Sequence, residues 1–142
     1  MKTMKPKSNI HNPTSALRAL LNVLRFNDQG LMPTVIQDVK TKQVLTLCYL
    51  NDVALKKSLE TGTVHLFRRS QNRLMQKGET SGHIQLIREV LVDCEGKSLV
   101  LLIEPRVAAC HVGYFTCYFR RLSRLGTITT VGRKLFDPAN VY

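Results

Sequence analysis

Three of the chain's four cysteines stand where their thiolates could hold a metal ion. Six residues separate Cys110 from Cys117, His111 adjoins Cys110, and Cys94 precedes them in a polar segment. This spacing differs from the C-x₂-C pattern of structural zinc knuckles. These three thiolates would leave a fourth position open, and three protein ligands plus water are typical of catalytic zinc sites, where the metal lowers the pKa of bound water from 15.7 to about 7. The pattern therefore predicts hydrolysis.

The segment around Cys94 could serve a second metal. In an extended strand Asp93 and Glu95 share one face, while Cys94 points to the other. Carboxylate oxygens suit Mg²⁺, whereas a thiolate suits Zn²⁺. The alternative interpretation is an acidic turn beside a core cysteine, and the segment alone does not decide between them.

A short glycine-containing loop follows at residues 77–82, with the sequence Lys-Gly-Glu-Thr-Ser-Gly. Glycines let backbone N–H groups approach an anion closely, and Lys77, Thr80 and Ser81 add donors. A phosphate cradle is therefore physically sensible. Since the loop matches neither a Walker motif nor a dinucleotide fingerprint, an ordinary surface turn is the alternative.

The elements that must position these groups are mostly strands. Ser15 can cap a helix with an apolar stripe, and Asn51 can cap a second helix at residues 52–60 that Gly62 would end. Strand-like segments fall at residues 34–39, 43–50, 64–68, 73–76, 84–92, 98–103 and 114–119. We expect a mainly β (α+β) fold, a twisted antiparallel sheet or partial barrel with one or two helices.

Length and composition restrict the class of protein. A chain of 142 residues with 44% hydrophobic and 22% charged residues fits one globular domain and excludes a disordered chain. No apolar run approaches the roughly 18 residues that span a bilayer, and no export signal is evident. We therefore expect a cytoplasmic protein without a membrane partner, in a compartment that keeps its thiols reduced.

The charge balance is strongly basic, with 21 basic and 10 acidic residues giving +11. Arg68, Arg69, Arg73 and Lys77 cluster within a short stretch. Solvated surface charge, a pocket for a phosphate-bearing ligand and a nucleic-acid surface are the three interpretations. Because no aromatic residues interleave with the cluster as a base-stacking surface would need, nucleic acid is the least expected partner.

The order of motifs resembles that of the phosphoribosyl-AMP cyclohydrolase family. The resemblance covers about residues 30–119 and is carried by these segments: Gly30-Leu31-Met32-Pro33, Gln37-Asp38, Tyr49-Leu50-Asn51, residues 60–65 (Glu-Thr-Gly-Thr-Val-His), residues 77–82, Asp93-Cys94, and residues 110–117. It implies an intertwined homodimeric zinc enzyme of histidine biosynthesis, which hydrolyses the N1–C6 bond of the adenine ring of phosphoribosyl-AMP. Residues 30–121 would form this domain, with residues 1–29 a basic extension and helix and residues 122–142 a basic tail.

The resemblance also implies roles for individual residues. One subunit would supply one zinc thiolate and its partner two, the ligands being Cys94, Cys110 and Cys117. The family's magnesium site would fall on Asp93, Glu95 and position 97. His111, and secondarily His65, would transfer protons, although a core histidine is the alternative for His65. The substrate's phosphates would meet Arg69, Arg73, Lys77, Glu79, Thr80 and Ser81.

Five positions depart from the family pattern. Glu95 and Lys97 stand where a second and a third aspartate are expected. Phe67 and Met75 replace two tryptophans, and Gln71 replaces an arginine. Because a cation cannot ligate a cation, the Lys97 ammonium could instead supply part of the charge that magnesium would bring. These departures keep two alternatives open. One is a divergent protein that keeps the zinc dimer but acts on another nucleotide, or only binds a nucleotide or nucleic acid. The other is a basic β-domain without metal.

Overall fold

A computed structural model describes residues 12–77, 84–105, 113–135, 137 and 139. Within these residues the elements are α1 (Pro13–Val23), β1 (Met32–Asp38), β2 (Val44–Leu50), α2 (Asp52–Thr61), β3 (His65–Arg68), β4 (Arg73–Gln76), β5 (Gln85–Val92), β6 (Leu99–Pro105), β7 (Arg120–Leu122) and β8 (Ile128–Thr130), with a 3-10 turn at Arg69–Gln71. The predicted fold class, mainly β with few helices, is confirmed. No helix in the described part of the chain is long and apolar enough to cross a membrane.

The main sheet has four strands in the order β2-β1-β6-β5. Two antiparallel hairpins, β1–β2 and β5–β6, join through a parallel pairing of β1 with β6. The sheet is therefore mixed, which differs from the expected antiparallel sheet. No turn links β1 directly to β6, so hairpin geometry does not dictate their relative direction.

The core lies between this sheet and α2, and one face of α1 packs against its edge. Residues along β1 alternate between buried and half-buried, as expected for a strand with one fully covered face. The apolar core comprises Leu24, Met32, Ile36, Leu45, Leu50, Ala54, Leu55, Leu59, Val64, Ile87, Leu99, Leu101 and Ile103. The fold thus positions the ends of β3, β4 and β5, which carry or adjoin predicted site residues.

The two helix starts differ in how well the sequence predicts them. The Asn51 side chain accepts a hydrogen bond from the Ala54 N–H at 2.8 Å, and Gly62 ends α2 in the left-handed conformation, both as predicted. The predicted cap of α1 is wrong: Asn12 caps it by accepting from the Ser15 N–H at 3.1 Å. Pro13 at the first helical position favours this earlier start.

The C-terminal part of the chain contains structure that the sequence pattern does not predict. β7 and β8 form a hairpin whose residues are exposed. Residues 114–119, predicted as a strand, form an irregular segment instead. Its Thr116 hydroxyl donates to the Val44 carbonyl at 2.7 Å, so side-chain bonding to β2 replaces a regular ladder.

Candidate functional site

A cleft of about 790 Å³ opens between β2 and the β3–β4 hairpin. Its lining includes Cys48 and Tyr49 from β2, Arg69 from the 3-10 turn, Lys77 after β4, and Cys117 from the irregular segment. This volume lies within the roughly 300–1,000 Å³ typical of small-molecule sites. The cleft thus brings together two of the predicted phosphate-binding cations and one of the predicted zinc ligands.

Arg69 is held at the cleft wall by an aromatic ring. Its guanidinium carbon lies 4.0 Å from the centroid of the Tyr49 ring, a cation–π contact. The turn that carries Arg69 closes at Asn72, whose left-handed conformation (φ 47°) redirects the chain into β4. Arg69 is therefore oriented before any ligand binds.

Lys77 is fixed through its backbone. Its N–H donates to the Val64 carbonyl at 2.8 Å, which ties the end of β4 to the strand that precedes it. The glycine-containing loop that follows, with Glu79, Thr80 and Ser81, lies outside the described residues. Arg73 lies on β4 opposite Arg68, and it does not line this cleft.

The two thiols in the cleft differ in character. The backbone N–H of Cys117 donates to the Leu45 carbonyl at 2.7 Å, which places this residue beside β2. Burial raises the pKa of the Cys48 thiol to about 12, an effect that Lys77 opposes and Cys117 reinforces. Cys48 therefore stays protonated at neutral pH, as the prediction of an inert thiol requires, and Cys117 is the better candidate for a metal ligand.

Cys94 lies elsewhere, in the exposed turn between β5 and β6. It lines a separate cleft with Asn22–Arg25 and the neighbouring turn residues. In the sheet order β2 is two strands from β6, a spacing of about 10 Å. Two thiolates on one zinc ion are at most about 4.6 Å apart, because each Zn–S bond is about 2.3 Å.

One chain therefore does not bring Cys94 and Cys117 to the same ion. Among the residues that the structure describes, no three histidine, cysteine or acidic side chains are grouped closely enough to hold a metal. The third predicted ligand, Cys110, lies outside the described residues, as does His111.

The acidic residues beside Cys94 are engaged within their own turn. The Asp93 carboxylate accepts hydrogen bonds from the backbone N–H of Lys97 at 2.8 Å and of Glu95 at 3.1 Å. These bonds, that of Lys97 foremost, lower the pKa of Asp93. The Lys97 ammonium lies 3.0 Å from a Glu95 carboxylate oxygen. The turn is thus closed by its own donors and its own cation.

This turn is docked against the end of α1. The Gly96 carbonyl accepts from the Arg25 N–H at 2.7 Å, and Gly96 adopts φ +71°. A Cβ at this position would lie 2.0 Å from the Val23 carbonyl oxygen. Only glycine fits here, so α1 fixes the position of the Cys94 turn.

His65 is a buried residue whose backbone is clamped by α2. The Ser58 hydroxyl accepts from the His65 N–H at 2.8 Å and donates to the His65 carbonyl at 3.1 Å. The ring Nδ1 lies 3.1 Å from the Thr63 carbonyl, so it carries the proton and leaves the Nε2 lone pair available. His65 does not line the cleft of Cys117.

Some residues of the cleft have no role predicted from the sequence. Ser70 and Asn72 line the cleft, and Tyr49 orients Arg69. The polar run at residues 69–72 between two strand-like segments indicates a turn, and this is the signal that could have found Ser70 and Asn72. The contact between Tyr49 and Arg69 joins distant parts of the chain, so spacing gives no signal for it.

Comparison with known proteins identifies relatives along most of the chain. The family model described as phosphoribosyl-AMP cyclohydrolase matches residues 46–119. The phosphoribosyl-AMP cyclohydrolase of Pelotomaculum thermopropionicum is 45% identical over 122 residues, which cover 86% of this chain and 95% of that protein. That of Methanospirillum hungatei is 44% identical over 119 residues, covering 84% and 88%.

A longer relative has the same region within a larger protein. The histidine biosynthesis bifunctional protein HisIE of Thermoanaerobacter pseudethanolicus is 46% identical over 123 residues, which cover 87% of this chain and 56% of that protein. The chain thus spans little more than half of this relative, but nearly the full length of the Pelotomaculum one. The chain belongs to the phosphoribosyl-AMP cyclohydrolase family of enzymes.

Proposed function

We propose that this enzyme hydrolyses the N1–C6 bond of the adenine ring of phosphoribosyl-AMP, a step of histidine biosynthesis, with the help of zinc. Family membership supports the reaction. The observation that carries the site assignment is that Cys117 shares one cleft with Arg69 and Lys77. A predicted metal ligand and two predicted phosphate-binding cations thus line the same small-molecule site.

Arg69 and Lys77 would bind the substrate's two phosphate groups. Hydrogen bonds between cationic donors and phosphate oxygens are among the stronger ones in proteins, and a guanidinium can donate two in parallel. Because the Tyr49 ring already holds the Arg69 guanidinium, little side-chain freedom is lost on binding. Glu79, Thr80, Ser81 and Arg73 remain proposed contacts on the basis of the family resemblance.

The zinc site would form between two copies of the chain. Cysteine thiolates suit zinc, but Cys94 in the β5–β6 turn and Cys117 beside β2 line separate clefts of one chain. A homodimer in which Cys94 of one copy approaches Cys110 and Cys117 of the other satisfies this constraint. Cys94, Cys110 and Cys117 would hold the zinc ion, which would supply an activated water at neutral pH.

Proton transfer would fall to His111, with His65 as the second candidate. The His65 Nδ1–H donates to the Thr63 carbonyl, which fixes the tautomer and leaves Nε2 to accept a proton. The clamp from Ser58 keeps the strand that carries this ring in register with α2. His65 would act in the assembled dimer, since it does not line the cleft of one chain.

The β7–β8 hairpin supports the dimer. Leu122 and Ile128 face each other across the hairpin and are 67% and 62% exposed. An isolated two-stranded hairpin is marginally stable in water, so this one needs a covering surface. Because β7 begins just after Cys117, a second copy that brings its Cys94 to this site would lie close enough to cover these side chains.

Ring opening of phosphoribosyl-AMP, followed by absorbance with protein of measured zinc content, tests the proposal. We expect Cys117→Ala to lose zinc and more than about 100-fold of the activity, because even changes next to a ligand cost about 10- to 100-fold. Cys48→Ala, a change of the same size in the same cleft, should keep both zinc and activity.

Two results would contradict parts of this proposal separately. Full zinc and activity in Cys117→Ala would remove Cys117 from the site. Wild-type protein that holds zinc but does not open this ring would instead support the alternative of a changed nucleotide substrate.

A further inference from the structure

The turn between β5 and β6 holds two carboxylates and an ammonium in five residues. The family resemblance places magnesium here, on Asp93, Glu95 and position 97. We propose that the Lys97 ammonium takes the place of the divalent cation, so that this chain neither binds nor requires Mg²⁺ at the turn. The claim that the turn does not bind Mg²⁺ is independent of the reaction. Only the claim that activity does not require Mg²⁺ rests on the proposed function.

The oxygens of Asp93 are already used. Its Oδ1 accepts from the N–H groups of Glu95 and Lys97, and its Oδ2 accepts from the Ser98 hydroxyl at 2.9 Å. A carboxylate offers about four acceptor positions, of which three are filled. Asp93 therefore closes the turn, and a metal ion could reach this carboxylate only at the one acceptor position that remains, on Oδ2.

Glu95 is paired with the cation of its own turn. Its Oε2 lies 3.0 Å from the Lys97 Nζ. Mg²⁺ would need to approach this carboxylate to about 2.0–2.1 Å, which places it a few ångströms from the ammonium. Two carboxylates and one ammonium give the turn a net charge of −1, whereas a carboxylate at position 97 would give −3. The charge that attracts a divalent cation is therefore largely absent.

Lys97 also lies in the same turn as the proposed zinc ligand. Cys94 lies between Asp93 and Glu95, and the docking of Gly96 on the end of α1 fixes the turn that carries all of them. A positive charge at this turn is thus a permanent part of the chain. The Lys97 ammonium thus partly neutralises the two carboxylates of the turn without an ion from solution.

Binding of Mn²⁺, a paramagnetic substitute for Mg²⁺, tests the inference by electron paramagnetic resonance on the zinc-loaded full chain. We expect no stoichiometric Mn²⁺ site in the wild type. Lys97→Asp should bind Mn²⁺ at least about tenfold more tightly, because it replaces a repelling charge with an attracting one. Lys56→Asp is the matched control: Lys56 lies 4.0 Å from Glu60 on α2, and its replacement should create no site.

One Mn²⁺ bound tightly per wild-type chain, or no gain of affinity in Lys97→Asp, would overturn the inference. Ring opening provides a second readout: the wild-type rate should change less than about twofold on adding Mg²⁺, while the rate of Lys97→Asp should rise with it. A steep Mg²⁺ requirement in the wild type would also contradict the inference. If no variant opens the ring, the proposed function fails, but the Mn²⁺ measurements still decide the metal question.

Discussion

At the scale of single residues, Gln85 has a buried side-chain amide without a hydrogen-bond partner among the described residues. It is 1% exposed, and in the described part of the chain neither its Nε2 nor its Oε1 forms a hydrogen bond. A buried polar group left unpaired costs about 1–3 kcal/mol, and replacing it with an apolar group of similar shape can be neutral or stabilising. Gln85 therefore offers a direct test of the packing around β5.

We predict that Gln85→Met raises the free energy of unfolding by about 1 kcal/mol, measured by urea denaturation at fixed protein concentration. Gln37→Met is the control, because the Gln37 Nε2 donates to the Lys42 carbonyl at 2.7 Å and its loss should destabilise the protein. A loss of stability in Gln85→Met would show that the amide has a partner in the assembled protein.

The pair of Arg88 and Glu104 predicts a pH dependence. An Arg88 Nη2 donates to Glu104 Oε2 at 2.7 Å, and this hydrogen bond lowers the pKa of Glu104 from its ordinary 4.5. A lowered carboxyl pKa contributes stability that is present above the ordinary value and is lost as the pH falls through the lowered one. The stability difference between wild type and Glu104→Gln should therefore shrink below about pH 4.5. Denaturation curves from pH 7 to pH 3 check this, and a constant difference would contradict it.

At the scale of elements, the contact between α1 and the β5–β6 turn positions Cys94. Gly96→Ala should destabilise the protein by more than the roughly 1–2 kcal/mol that a left-handed non-glycine residue costs, because its Cβ would clash with the Val23 carbonyl. Zinc content should fall with it, since Cys94 moves with the turn.

Gly30→Ala is the matched control for this prediction. Gly30 has nearly the same φ, +73°, but nothing lies within 4 Å of the position that a Cβ would occupy there. This variant should show the conformational cost alone and keep its zinc. Equal losses in the two variants, measured by denaturation and metal analysis, would show that the contact with α1 is not important.

Elements specified by local signals are the ones that the sequence predicts well. Asn51 and Gly62 mark both ends of α2 because capping depends on residues within one turn. The parallel pairing of β1 with β6 joins strands far apart in the chain, and no local pattern encodes it. The same holds for the site. The types and order of its residues indicate zinc and phosphate chemistry, but only the fold shows that Cys117 lines the same cleft as Arg69 and that Cys94 lines another.

At the scale of the whole molecule, the exposed hairpin predicts where the two copies of the proposed dimer meet. Leu122→Lys should shift the proposed dimer to monomer and lower its zinc content, since β7 follows Cys117 closely. Val53→Lys, at a 54% exposed position on α2, is the control and should leave the dimer intact. Sedimentation equilibrium measures both, and an unchanged dimer in Leu122→Lys would remove the hairpin from the interface.

The central claim is that each zinc site needs ligands from two copies, and mixing two inactive variants tests it most directly. Cys94→Ala and Cys117→Ala should each lack zinc and activity alone. After the two are unfolded and refolded together, half of the dimers should be mixed, and each mixed dimer should contain one intact site. We predict recovery of about a quarter of the wild-type zinc and activity. No recovery, although mixed dimers are shown to form, would contradict the shared site.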